Sequence, residues 1–234
     1  MNTVRIADAF LRDEPTLPPG DDDRVAGFGV IGLPFASGHY LALRCFGASS
    51  FGPPYKSLWH RDPAGVWTVF STIDDARGCP RYIGAALAGP SIITPIDVSL
   101  IDETSVRVYV DDAVDWTFRV APTRATTLMS GVSAWLPERA WANRWVLRFM
   151  GRLAGPMLSA GRMRLTGTMP NGQRFKAAPR RVWSIQSSHA TIEGIELGPV
   201  GPLAEQARLG DFWLPQRGLF FAEGVGRFED SGAR

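Results

Sequence analysis

Tyr55–Thr72, YKSLWHRDPAGVWTVFST, reads as a β-hairpin and decides the fold class. Asp62-Pro63-Ala64-Gly65 supplies a type I turn closed by a left-handed glycine: Asp first, Pro with its φ preset, Gly last. With Asp62 opposite Val66, the turn pairs Arg61 with Trp67, His60 with Thr68, Trp59 with Val69 and Leu58 with Phe70. One face then carries Tyr55, Trp59, Arg61, Trp67 and Val69. The other carries Lys56, Leu58, His60, Asp62, Thr68 and Phe70.

Two more hairpins use the same device. A loop at Asp111-Asp112-Ala113 pairs Val110 with Val114, Val108 with Trp116 and Val106 with Phe118, leaving Arg107, Tyr109, Asp115 and Arg119 on a polar face. A two-residue loop would scramble both faces. A loop at Pro170-Asn171-Gly172 sets Met163, Leu165, Met169, Phe175 and Ala177 on one side, with Phe175 across from Gly167. Three hairpins with one apolar face each require an antiparallel sheet that curls over a core. The expected fold is therefore mainly β, an antiparallel meander forming a barrel or strongly bent sheet, with one amphipathic helix packed on it or closing its mouth.

That helix is expected over Pro137–Ala160, where Trp141, Trp145, Phe149 and Leu153 recur every four residues and Pro156 should kink or end it. The remaining segments fit around this frame. Val4–Leu11 reads as a short helix within an N-terminal arm, residues 1–24, and residues 25–234 as a single barrel-like domain with the helix inserted at about 137–160. The glycine-rich Gly27–Pro34 reads as a tight lead into a first strand at His39–Phe46. Arg81–Ala88, Ile96–Ile101, Val182–Ser188, Ala190–Gly194 and Leu219–Phe221 read as further strands.

Composition narrows the function. A chain of 234 residues with 45% hydrophobic and 21% charged residues is ordinary globular protein. A formal net charge of +2 argues against nucleic acid and for a neutral or apolar small-molecule partner. Cys45 and Cys79 are too far apart for a metal knuckle or redox pair and are expected to be reduced, buried thiols. No signal-peptide pattern opens the chain, so the expected compartment is cytoplasmic. Neither HExxH, paired-cysteine spacing, GxSxG nor a nucleotide loop is present, so no metal and no cofactor is expected.

Few residues suit acid–base chemistry. His60 has Asp62, Lys56 and Thr68 for neighbours and could hold a tuned proton. Asp97 and Asp115 would have raised pKa values if their faces lined an apolar interior. Trp59, Trp67 and Trp116 could shape a cavity, with Tyr109 and Arg119 contacting a ligand.

The meander of hairpins, the Gly65-Val66-Trp67 triplet and the Trp-rich faces resemble the lipocalin-like group of ligand-enclosing barrels, including its carotenoid hydratase and fungal Diels–Alderase branch. The resemblance spans Gly38–Gly194 at the level of architecture. It implies a cavity for an apolar, polyketide- or terpenoid-like molecule, and carries over no catalytic residue. Three functions stay open: a cofactor-independent hydratase, isomerase or cyclase; a noncatalytic carrier or sensor of a hydrophobic ligand; and a peripheral membrane or protein-interaction module using the Trp141–Leu153 stripe. The last requires that stripe to face solvent. Oligomeric state is not legible.

Overall fold

The computed structural model describes residues 15–229, so the helix expected at Val4–Leu11 lies outside the described residues. The protein is a curled, largely antiparallel sheet forming a half-barrel, with a few short helices. Its strands are β1 (Asp23–Pro34), β2 (Tyr40–Ser49), β3 (Tyr55–Arg61), β4 (Trp67–Ser71), β5 (Ile92–Ile93), β6 (Asp97–Leu100), β7 (Ser105–Val110), β8 (Val114–Ala121), β9 (Thr166–Thr168), β10 (Arg174–Ile192), β11 (Ile195–Glu196) and β14 (Leu219–Glu229). Between the last two, β12 (Arg208–Leu209) and β13 (Phe212–Trp213) pair only with each other. The main path runs β5-β4-β3-β2-β1-β14-β10-β8-β7-β6, with β9 and β11 also on β10.

All three hairpin registers form as the side-chain pattern requires: Trp59 faces Val69, Val108 faces Trp116, and Phe175 faces Gly167. Asp62 closes the first turn twice, its backbone carbonyl accepting from Gly65 N and its carboxylate from Val66 N at 2.8 Å.

Because side chains alternate along a strand, the sheet buries both faces. Tyr40, Ala42, Phe46, Tyr55, Trp59, Trp67 and Val69 enter one core, which helices and loops cover. Leu41, Leu43, Cys45, Leu58 and Phe70 enter a second, where the sheet folds over Val106, Val108, Trp116 and Phe118.

The glycine-rich Gly27–Pro34 stretch is not a lead-in but the heart of β1, which joins β2 to β14. Its glycines answer to close neighbours, since a Cβ at Gly27 would stand 2.0 Å from the Cys45 carbonyl oxygen. Register shifts at Gly27/Gly29 and beyond Val30 interrupt the regular ladder of β1. Likewise the two strands expected at residues 182–194 are one long β10, whose Pro179 sits at a bulge, where a missing N–H costs no ladder bond. Leu219–Phe221 extends to Glu229.

Arg81–Ala88 is not a strand. Pro80–Ile83 forms a single turn, α1, followed by a 3-10 turn to Ala86. A further helix, α2 (Arg124–Trp135), has no counterpart in the sequence reading; the Thr123 and Thr126 side chains close its N-terminus as a capping box. The expected Pro137–Ala160 helix is two, α3 (Glu138–Ala142) and α4 (Arg144–Met157), divided at Asn143, whose side chain caps α4 by accepting from Trp145 N at 2.9 Å.

The buried residues also differ from those expected. Trp141 is in a small core with Leu147 and Met150, but Trp145, Phe149 and Leu153 face outward. The cause lies in Gly151 and Gly155, where added Cβ atoms would stand 3.1 Å from Leu165 N and 2.2 Å from Gly161 O. The helix packs through its glycines against residues 161–165, which turns its aromatic stripe away from the sheet.

Candidate functional site: a buried arginine in an apolar cavity

Arg44 lies on β2 between Leu43 and Cys45, in a strand where every residue from Tyr40 to Phe46 is buried. Alternation sends it to the helix-covered face, and only 5% of it is exposed. Nη1 donates to Val30 O and Leu43 O and Nη2, at 3.4 Å, to Ile31 O. Two of these carbonyls belong to the irregular part of β1.

The guanidinium lies 4.4 Å from the centre of the Trp59 ring and 5.8 Å from that of Phe221. Burial pulls its pKa below the ordinary value, but an arginine remains charged in a protein. No carboxylate pairs with it among the described residues; its charged-form neighbours are Cys79, Tyr40, Tyr55 and Cys45. Of five N–H donors, the Nε edge has no acceptor there.

Arg44 lines an apolar cavity of about 110 Å³. Trp59, Cys79, Met169, Phe175 and Phe221 surround its inner part, and the lining runs out to half-buried Lys176 and Trp213 and exposed Arg164. Lys176 is paired with Glu229, and Arg164 with Asp211. Cys79 Sγ is 3.1 Å from Tyr55 Oη, and burial pushes the thiol's pKa up. Both cysteines are free and buried, as expected from their spacing.

The residues singled out in the sequence are not gathered here. Trp59 lines the cavity, and Trp67 shares its core, edge-on to Tyr40, without reaching the lining. Trp116 is fully buried in the second core, its indole donating to Ser188 Oγ. Asp97, Tyr109 and Asp115 stand in one row across β6, β7 and β8, outside the cavity. Asp97 and Tyr109 are exposed, and Asp115 makes a two-pronged ion pair with Arg107. Exposed Arg119 is 4.0 Å from Asp102.

His60 is half-buried near the hairpin tip, its Nε2 2.9 Å from His39 Nδ1, with the two rings stacked. Burial, then the neighbouring His39, draws it down to about 4, against the smaller opposite pull of Asp62.

Arg44 and Cys79 were not among the sequence candidates. The signal for Arg44 was a lone charge inside an otherwise apolar run, Tyr40–Phe46.

No family model matches the chain, and no curated protein is similar to it. Among solved structures it is similar to an acetoacetate decarboxylase from Legionella pneumophila, at 12% identity over 98% of this chain and 95% of that one, with a TM-score of 0.39. A likeness of that degree carries no argument about chemistry.

Proposed function

We propose that the half-barrel holds a small amphipathic carboxylate, its anionic head on Arg44 and its apolar body against Trp59, Phe175 and Phe221. The observation that carries this reading is a buried, permanently charged guanidinium with no counter-ion among the described residues, placed at the inner end of an apolar cavity. A charge taken out of water is costly unless paired. A ligand carboxylate offsets that cost through parallel bonds that a neutral group cannot make.

The cavity limits the ligand. A site of 150 Å³ holds a benzene, so about 110 Å³ encloses about four or five non-hydrogen atoms, the carboxylate and first carbons of a short-chain monocarboxylate rather than a full terpenoid.

The carrier or sensor reading draws more support than a hydratase, isomerase or cyclase. The cavity's titratable lining is Arg44, Cys79, Arg164 and Lys176. Arginine does not exchange its proton near neutrality, the Cys79 thiol is pushed up by burial, and Lys176 is tied to Glu229. General acid–base catalysis wants a group that titrates near the working pH, which neither the Arg44 guanidinium nor the raised Cys79 thiol supplies. The lipocalin-like resemblance agrees with enclosure of a ligand but adds no residue to it.

Thermal shift with straight-chain and aromatic carboxylates, each beside its methyl ester, tests the reading. Short-chain carboxylates should raise Tm and their esters should not. Equal shifts from esters, or none from any carboxylate, would overturn it.

A further inference from the structure

α4 presents Trp145, Phe149, Leu153 and Met157, at four-residue spacing, to the outside; Trp145 is 65% and Phe149 62% exposed. The neighbouring α2, which shares an apolar crevice with α4, exposes Leu128, Val132 and Trp135, the last at 91%. Exposed apolar groups so concentrated mark an interaction surface.

The charge on α4 itself is of one sign, since its sequence holds arginines and no acid. Residues 122–192 hold eleven basic side chains and a single acid, Glu138, in a chain whose net charge is only +2. Glu138 is already taken by Arg180. Arg144, Arg148 and Arg152 have no carboxylate partner among the described residues, and the first two lie over the Trp145 ring. Beside the helix runs a groove of about 590 Å³ lined by Arg148, Arg152, Arg162 and Arg164, with Asp211 as its one acid.

From these features we propose that α4 docks on an anionic phospholipid surface. Trp145, Phe149 and Leu153 enter the headgroup boundary, the arginine stems extend to the phosphates, and the groove takes a phosphate head. Charge complementarity selects this occupant. In a twofold pairing of two copies through the same face, the arginine rows would meet one another with no acid on either α4.

Docking there also places the cavity near the lipid, since Met163, Arg164 and Leu165 line both groove and cavity. The surface stands whether or not the cavity takes a carboxylate.

Vesicle co-sedimentation tests it, with phosphatidylcholine alone and with about 30 mol% phosphatidylglycerol in phosphatidylcholine. The full chain should bind the anionic vesicles roughly tenfold or more tightly than the neutral ones, and added salt should weaken that binding. Trp145→Glu and Phe149→Glu should abolish it, and Arg148→Gln/Arg152→Gln should weaken it and flatten its salt dependence, all with unchanged Tm because these side chains are exposed. The proposal is overturned if neither vesicle is bound, if both are bound equally, or if Trp145→Glu leaves binding intact. It is also overturned if sedimentation equilibrium shows a dimer that Trp145→Glu dissociates while vesicles are ignored, which would assign the face to a second copy.

Discussion

The Arg44 guanidinium lies over the Trp59 ring, 4.4 Å from its centre, and holds the irregular part of β1 through the Val30 and Ile31 carbonyls. The charge is thus a structural strut on one edge and unpaired on another. The planar fork is what allows both. Lysine has no such fork, and its ammonium is more strongly hydrated. Arg44→Lys should therefore destabilise the protein by about 1–3 kcal/mol in urea unfolding; a midpoint equal to wild type would show that the carbonyl contacts contribute little.

The imidazole pair makes stability sensitive to acid. His60, at about 4 in the folded protein, lies below its ordinary 6.5, and burial lowers His39 as well. Between those values the unfolded chain binds a proton that the folded one does not, so stability is complete above about 6.5 and is lost as pH falls toward 4. The urea midpoint should drop over that window, and His60→Gln should flatten the drop. An unchanged slope in the variant would place the acid sensitivity elsewhere.

Both thiols should be inert while the protein is folded. Burial pushes Cys45 to about 12 and raises Cys79 also, against the opposing influence of Arg44 on each. Thiolate is the reactive form, so an aromatic disulfide reagent at pH 8 should label neither until denaturant is added. Rapid labelling of one thiol in the native protein would mean that the cavity opens more widely than its lining suggests.

The central glycines of β1 should tolerate no side chain. At Gly27 the obstacle is the Cys45 backbone carbonyl, 2.0 Å from the added carbon, and backbone cannot turn aside as a side chain can. Gly27→Ala should cost at least about 2 kcal/mol, whereas Gly131→Ala, in α2 with open space around it, should be neutral or slightly stabilising. Unfolding midpoints of the two variants check the contrast.

Local rules carried the sequence reading where turn chemistry and alternation act together. Asp62-Pro63-Ala64-Gly65 set the first register, and the valines on both sides of residues 111–113 set the second. Stretches whose composition answers to distant contacts are not legible in this way. The glycines of β1 look like a loop until the strands beside them are known. The Trp145 stripe looks like a buried face until Gly151 and Gly155 are seen to make the closer contact.

The site was partly legible for the same reason. Alternation correctly put Trp59 and Trp67 on one face, but Arg44 is defined by residues from β1, β3 and β14 that no local pattern links. Asp97 and Asp115 were separated from that face only by how the whole sheet curls.

The decisive measurement is calorimetric titration of butanoate and of 1-butanol into the protein and into Arg44→Met. Wild type should bind butanoate at least about tenfold more tightly than the alcohol, and Arg44→Met should bind the two alike. Equal affinities in wild type, or a preference for butanoate that survives Arg44→Met, would contradict the assignment of Arg44 as the anchor of an anionic ligand.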